Sequence, residues 1–479
     1  MAQLTKIGLG SYGEVFHLDN DTVIKKCCLF DPSCKTETFE MSTFTELSIL
    51  SRPGFKNIPV LFDVETTQSG RVKISMEHCG KTLLQTAREL KPIERIQALP
   101  KVAFQLIEAA LHLQENGVVH TDIKSANVMV TASGNIKLID FGIVACETIN
   151  KPDTNLMSKS GTIISHEWGT YTICPPETFT KNIWSVDKYM SWSIGITLCE
   201  FIFETHSFLN NFVLNSKEQS EYKKNYKNDW IIKQLLAKAF SKRMERQTLL
   251  VNLSHIEHLS KELASMLHKM LTLDYTKRAS LLELFNLPVF NRYRKLPSYD
   301  GTVVPKYGLV PDIYCNKVEA PKSKIPCTKM RREVLECVFE TYNRLNKTHL
   351  FTQAATLFDK YCAMATVSGD KYYLVASVCA YIVQHIAKMD SVKMTEFIEA
   401  FRMGKTYKGQ KYTTDNLIEC TQDVMFNTDF QMYSQTFDVI IAKSECDVNL
   451  VVVLQVVLDN PPPYHNAELI KRYVNAIKV

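Results

Sequence analysis

The 14 cysteines of this chain include no Cys-x-x-Cys pair, and they are scattered through apolar runs, Cys199, Cys337 and Cys379 among them. A disulfide framework or a zinc site would need paired spacing, so the pattern predicts reduced, mostly buried thiols in an intracellular protein. The one local cluster, Cys27, Cys28 and Cys34, has no partner pair at zinc spacing. No block of five or more Lys/Arg occurs, and 56 basic residues stand against 51 acidic ones for a net charge of +5. That gives little basis for nucleic-acid binding, which depends on dense phosphate contacts. Long apolar runs are missing too. The longest, Val448 to Leu458, is interrupted by Asn449 and Gln455 and reads as a buried helix, too short to cross a bilayer. Met1 to Lys6 leads straight into a glycine-rich turn, so no secretory leader is expected. A cytoplasmic or nuclear chain without a membrane partner is the expectation.

What is present is an ordinary globular composition, 45% apolar and 22% charged over 479 residues, long enough for about three domains. One stretch carries the chemistry: His120-Thr121-Asp122-Ile123-Lys124-Ser125-Ala126-Asn127, followed by Asp140-Phe141-Gly142. Asp122 can accept the proton of an attacking hydroxyl, and Lys124 can neutralise charge on a transferred phosphate. Asn127 and Asp140 offer hard oxygen ligands of the kind magnesium takes.

Upstream, Gly8-Leu9-Gly10-Ser11-Tyr12-Gly13-Glu14-Val15 fits G-x-G-x-x-G-x-V. A dinucleotide-binding turn would run from a strand into a helix. Here Val15 and Phe16 alternate with Glu14 and His17, and Thr22-Val23-Ile24 follows Asp19-Asn20-Asp21, which predicts a hairpin. Glycines in a hairpin let backbone N–H groups approach phosphates with no side chains in the way. Met41 to Leu50 has apolar residues at helical spacing and carries Glu46.

In this order the motifs resemble those of protein kinases, and the helix at Met41–Leu50 resembles the cyclin-binding helix of cyclin-dependent kinases. The resemblance implies an α+β, two-lobed kinase fold over residues 1–295, with an amino-terminal lobe to about residue 80. It implies ATP and Mg2+ as cofactors and a protein substrate. Gly8, Gly10, Gly13, Val15 and Lys25 would bind ATP, with Glu46 as the partner of Lys25. Met76 would be the gatekeeper, and the backbone of Glu77 and Cys79 would read adenine. Asp122, Lys124, Asn127, Asp140 and Thr170 would be catalytic, and Asn127 and Asp140 would hold the metal. Gly169 to Glu177 resembles the end of an activation loop, and Thr170 beside a catalytic-loop lysine resembles the serine/threonine branch. Glu177 should pair with Arg278 inside the fold.

Four departures stand out. Thr121 replaces the usual arginine, Ile173 replaces a tyrosine, Pro175 replaces an alanine, and Met190 stands where the family has an aspartate that braces the catalytic loop, with Asp187 a turn too early. Without the arginine there is no buried positive charge for a phosphorylated loop to neutralise, so Ser158, Ser160, Thr162 and Ser165 need not be modified. Two functions stay open: an active enzyme, or a pseudokinase scaffold that binds a partner without chemistry.

Asn210 to Asp229 reads as an exposed polar insertion. Leu296 to Lys329 carries five prolines and reads as a linker. Residues 330–479 change to helical patterning, with stripes at Val334–Tyr342, Ala355–Tyr361, Leu374–Ile382, Phe397–Phe401 and Leu417–Phe430. Met330-Arg331, the segment around Asp359, and Lys371 to Val383 resemble a cyclin box, against the alternative of an unrelated helical bundle. Where cyclins carry a kinase-contacting lysine this chain has Gln384-His385. The implied partner of the kinase is this cyclin-like domain, docking on the Glu46 helix in the same chain.

Overall fold

The computed structural model describes residues 5–10, 13–19, 21–28, 41–51, 55, 57–66, 71–115, 118–146, 170–180, 186–206, 208, 214–225, 228–245, 254–258, 260–294, 328–369, 371–386, 393–404, 407 and 409–428. The chain divides into two compact units. One comprises Met1–Pro53, Val60–Glu77 and Val304–Val479, and the other Gly54–Pro59 and His78–Val303. The amino-terminal strands thus share a unit with the carboxy-terminal helices.

The first unit opens with five antiparallel strands, β1 (Thr5–Gly10), β2 (Gly13–His17), β3 (Thr22–Cys28), β4 (Leu61–Thr66) and β5 (Arg71–Glu77), in the order β1-β2-β3-β5-β4. Glycines pair across the first hairpin, Gly10 opposite Gly13, with Gly8 opposite Val15. A Cβ on Gly13 would lie 2.6 Å from the carbonyl oxygen of Lys26, so only glycine lets β2 close on β3. Asp21 N–H donates to Asp19 Oδ1 at 3.0 Å, the side-chain turn that the Asp-Asn-Asp sequence predicts. Helix α1 spans Met41–Leu50 and buries Leu47, Ile49 and Leu50.

In the second unit, α2 (Leu83–Glu89) starts at a capping box in which Thr82 and Gln85 satisfy each other's backbone N–H groups. Helix α3 runs over Pro92–Glu115, much longer than the apolar run Leu106–Leu113 suggests. It begins on Pro92, where a missing N–H costs nothing, and its first turns are too polar to show in the apolar pattern. Short strands then frame the catalytic segment: β6 (Lys81–Thr82), β7 (Val118–Val119), β8 (Val128–Val130), β9 (Ile136–Leu138) and β10 (Ala145–Cys146). β6, β8 and β9 form one small sheet, and β7 pairs with β10, so each end of the loop 120–127 is pinned by strand pairing.

After α4 (Pro176–Thr180), helix α5 (Val186–Phe203) is buried at every position from Tyr189 to Ile202. A helix buried on all sides lies in the centre of its domain. Trp192-Ser193-Ile194-Gly195 lies within this helix. A Cβ on Gly195 would come within 2.9 Å of both Met270 and Leu271, so glycine permits the close packing there. The stretch read as a polar insertion contains α6 (Ser216–Asn225), which has no buried residue. Helices α7 (Asp229–Glu245), α8 (Ser254–Glu257), α9 (Lys261–Met270), α10 (Leu281–Phe285) and α11 (Asn291–Arg294) complete the unit. Arg278 and Glu177 form the expected pair, a two-bond fork at 2.6 and 2.8 Å with both side chains buried.

The first unit resumes with five helices where five stripes are predicted: α12 (Thr328–Arg344), α13 (Phe351–Met364), α14 (Lys371–Ile386), α15 (Met394–Arg402) and α16 (Thr414–Asn427). Thr328 and Lys329, read as linker, already belong to α12; residues 296–327, 448–458 and 158–165 lie outside the described ones. Helix α14 is buried from Tyr373 to His385, with the other four helices packed around it. Arg331 and Asp359 form a fully buried fork at 2.7 and 2.6 Å that ties α12 to α13. In this same unit α14 also packs against α1.

Candidate active site

In the second unit the polar residues of the 120–127 segment converge on Asp122. Its Oδ2 accepts from Lys124 Nζ at 2.7 Å and from Asn127 Nδ2 at 3.0 Å, and its Oδ1 accepts from the backbone N–H of Thr170 at 3.1 Å. Lys124 Nζ also donates to Thr170 Oγ1 at 2.9 Å. Four residues separated by up to 48 positions in sequence thereby form one cluster. Burial drives the Asp122 carboxyl upward, but the Lys124 ammonium and the bonds from Lys124 and Thr170 outweigh it, so the group lies below the ordinary aspartate value. It is ionised at neutral pH.

His120 is fully buried and fixes the chain direction. Its Nδ1 accepts from the Asp122 N–H at 3.2 Å, which leaves Nε2 to donate to the carbonyl of Ile139, also at 3.2 Å. Burial holds the imidazole below its usual range, so it is neutral. Asp140 has φ 66° and ψ 70°, a left-handed conformation that aspartate tolerates better than most residues. The N–H of Ile139, beside it, donates to the carbonyl of Asn127 at 3.0 Å.

The residues fit magnesium. The Asn127 amide turns its nitrogen onto the carbonyl and carboxylate of Asp122, which leaves Oδ1 as the atom for a hard cation. Among the described residues no group of three or more His, Cys, Asp or Glu could hold a metal. An oxygen pair from Asn127 and Asp140 suits an ion that keeps water and phosphate oxygens as its other ligands.

Thr121 is buried, and its hydroxyl donates to the carbonyl of Ile143. A neutral side chain, satisfied by backbone, occupies the place expected to hold an arginine. Sequence reading misses what lies beneath the loop. From α5, Tyr189 Oη donates to the carbonyl of Thr121 at 2.8 Å, and Thr197 Oγ1 shares its proton between the carbonyl of Ile123 at 3.0 Å and that of Ser193, a turn earlier in the helix, at 2.8 Å. Glu200 Oε2 accepts from the N–H of Ser125 at 3.1 Å. The available signal was that Tyr189, Thr197 and Glu200 fall along one face of a largely buried helix.

In the first unit, Lys25 Nζ lies 2.5 Å from Glu46 Oε2, with the two side chains 9% and 5% exposed. This is the β3–α1 pair that the resemblance to protein kinases implies. Gly8, Val15 and Lys25 stand side by side across β1, β2 and β3. Burial pushes the thiol of Cys27, next to the pair, up to about 12, so it stays neutral there. Met76 is buried on β5. Glu77 gives its backbone N–H to the carbonyl of Val60 and accepts the Val60 N–H on its carboxylate. Cys79, in the second unit, is buried. The side chain of Asp187 and the residues Ser158, Ser160, Thr162, Ser165 and Gly169 lie outside the described residues.

Comparison with known proteins bears on this arrangement. The chain is 26% identical over 191 residues to the PAS domain-containing serine/threonine-protein kinase of Mus musculus, covering 40% of this chain and 13% of that protein. It is 26% identical over 198 residues to the probable serine/threonine-protein kinase mkcF of Dictyostelium discoideum, covering 41% and 27%. It is 31% identical over 157 residues to the MAP kinase kinase kinase SSK2 of Saccharomyces cerevisiae, covering 32% and 10%. The chain spans only 13%, 27% and 10% of the length of these three curated relatives. No described helix is long and apolar enough to cross a membrane. Residues 1–290, more than half of the chain, match the family described as the protein kinase domain, and the antiparallel sheet of the first unit and the helices of the second fit its fold. The chain belongs to the protein kinase family.

Proposed function

We propose that this protein is a serine/threonine kinase that transfers the γ-phosphoryl group of ATP to protein hydroxyls. The observation that carries the reading is the Asp122–Lys124–Thr170 cluster, in which an ionised carboxylate and an ammonium are held within 3.1 Å of one threonine. Asp122 orients the substrate hydroxyl and takes its proton, and Lys124 steadies the charge on the group in flight. Asn127 and Asp140 would hold magnesium, whose charge would offset that of the phosphates. Gly8, Gly10, Gly13, Val15 and Lys25, the last paired with Glu46, would bind the ATP phosphates, and the backbone groups of Glu77 and Cys79 would read the adenine. The likeness to the serine/threonine-protein kinases of Mus musculus and Dictyostelium discoideum supports serine/threonine selectivity. The test is magnesium-dependent phosphorylation of a serine/threonine peptide library by the full chain. Phosphoserine and phosphothreonine are expected, with at least a hundredfold loss in Asp140→Asn, and equal signals from the two proteins would refute transfer by this site.

The finer reading is a chain of the cyclin-dependent branch that carries its own activator. Residues 1–295 would be the kinase domain and 330–479 a cyclin-like domain acting in cis on α1. The packing of α14 against α1 within one unit supports it, because α1 bears Glu46. A few kcal/mol of differential contact are enough to shift a helix from mostly inactive to mostly active. A shared chain supplies the contact at high effective concentration. The free thiols among the described cysteines, Cys27 and Cys379 for example, support a reducing, intracellular setting.

A further inference from the structure

We infer that Tyr189 is a positioning residue, holding the catalytic segment and the Thr170 segment to a common support in place of the carboxylate that position 190 lacks. The inference rests on the kinase reading above. Met190 is fully buried in α5 and can offer the loop no strong hydrogen bond. Tyr189, one residue earlier and 1% exposed, reaches the loop instead. Its single proton is committed to the carbonyl of Thr121 at 2.8 Å, and Thr121 is the residue before Asp122.

The same hydroxyl lies 3.5 Å from Cys174 Sγ, and that sulfur lies 3.5 Å from the carbonyl of Thr170. Since the tyrosine proton is already used, only the thiol can donate across the Sγ–Oη contact, and it shares its proton with the Thr170 carbonyl. Burial raises both groups, Cys174 to about 12 and Tyr189 well above its ordinary value, so both keep their protons across the working range. The chain Thr121–Tyr189–Cys174–Thr170 thus closes a ring with the direct bonds from Thr170 and Lys124 to Asp122. Two loops that meet at the reacting atoms are fixed from behind to one rigid, buried helix, which is how such a site keeps its geometry.

Tyr189→Phe in the full chain removes the hydroxyl and keeps the ring that fills the core. The rate is counted per nucleotide-binding site, by titration with an ATP analogue, so that loss of folded protein does not enter kcat. The expected result is a ten- to hundredfold fall in kcat with KM for ATP within twofold. An unchanged kcat per site, with the native chain active and Asp140→Asn dead, overturns this role and leaves the kinase reading standing. A native chain no more active than Asp140→Asn overturns the kinase reading and the inference with it. Cys174→Ala severs only the link to the Thr170 segment, and is expected to raise KM for peptide severalfold more than it lowers kcat. A kcat-only loss, or no change, overturns that half of the ring.

Discussion

At Asp122 burial and charge act in opposite directions, and the neighbouring ammonium prevails. A carboxylate held below its ordinary value is ionised throughout the neutral range. It favours the folded state above the unfolded pKa, and that contribution is lost as pH falls through the lower folded pKa. The acid limb of kcat/KM is therefore expected below the usual aspartate range. Lys124→Met removes the ammonium and should move that limb upward, measured on a peptide substrate from pH 4 to 8. At Thr121, whose hydroxyl is satisfied by the Ile143 carbonyl, there is no charge for a loop phosphate to neutralise. Alanine at Ser158, Ser160, Thr162 and Ser165 together should leave activity within a few-fold, and a hundredfold loss would refute the argument. Thr121→Arg places a cation in a site 1% exposed and should cost several kcal/mol in denaturant unfolding.

Individual elements are joined by buried ion pairs whose value lies in keeping both partners. Arg278 and Glu177 connect the segment after α9 to α4, and Arg331 and Asp359 connect α12 to α13. Removing one partner strands a charge, at a cost of about 3–5 kcal/mol, whereas replacing both by apolar residues of similar volume is often neutral. Arg331→Met should therefore destabilise the chain strongly, and Arg331→Met with Asp359→Leu should recover most of the loss in urea unfolding. The same logic makes Lys25→Met informative: it leaves Glu46 buried and unbalanced at 4% exposure. Activity should vanish and stability should fall, whereas changing an exposed pair such as Lys81–Glu89 should do neither.

For the whole molecule, the unit containing α1 and α14 also contains a buried acid sensor of stability. Burial, with help from Lys347, lowers His385 to about 3 from its ordinary 6.5. Between those values the unfolded chain binds a proton that the folded chain does not, so stability falls as pH drops below about 6.5. The slope is at most about 1.4 kcal/mol per pH unit. His385→Phe should flatten the melting temperature between pH 5 and 7. The cis reading makes a matching demand on function. A chain ending at residue 327 should lose at least tenfold in peptide phosphorylation, with the loss restored by adding residues 325–479. Equal rates with and without that segment would sink it.

The Gly8–Val15 hairpin and the polar residues of the Asp122–Asn127 segment were legible as local patterns, whereas the Lys25–Glu46 pair and the Glu177–Arg278 fork, 21 and 101 positions apart, were expected only through the resemblance to protein kinases. Period-two and period-3.6 alternation likewise gave the sheet hairpins and the five carboxy-terminal helices, since apolar residues recur at the period of each element. The start of α3 was not legible, because its first turns are polar and carry no apolar stripe. Nor were the bonds from α5 to the catalytic segment, which join residues 68, 74 and 75 positions apart. A buried carbonyl must find a donor, but the sequence does not say which of several polar side chains will arrive. Only the packing of α5 beneath the loop decided that Tyr189, and not an aspartate, meets Thr121.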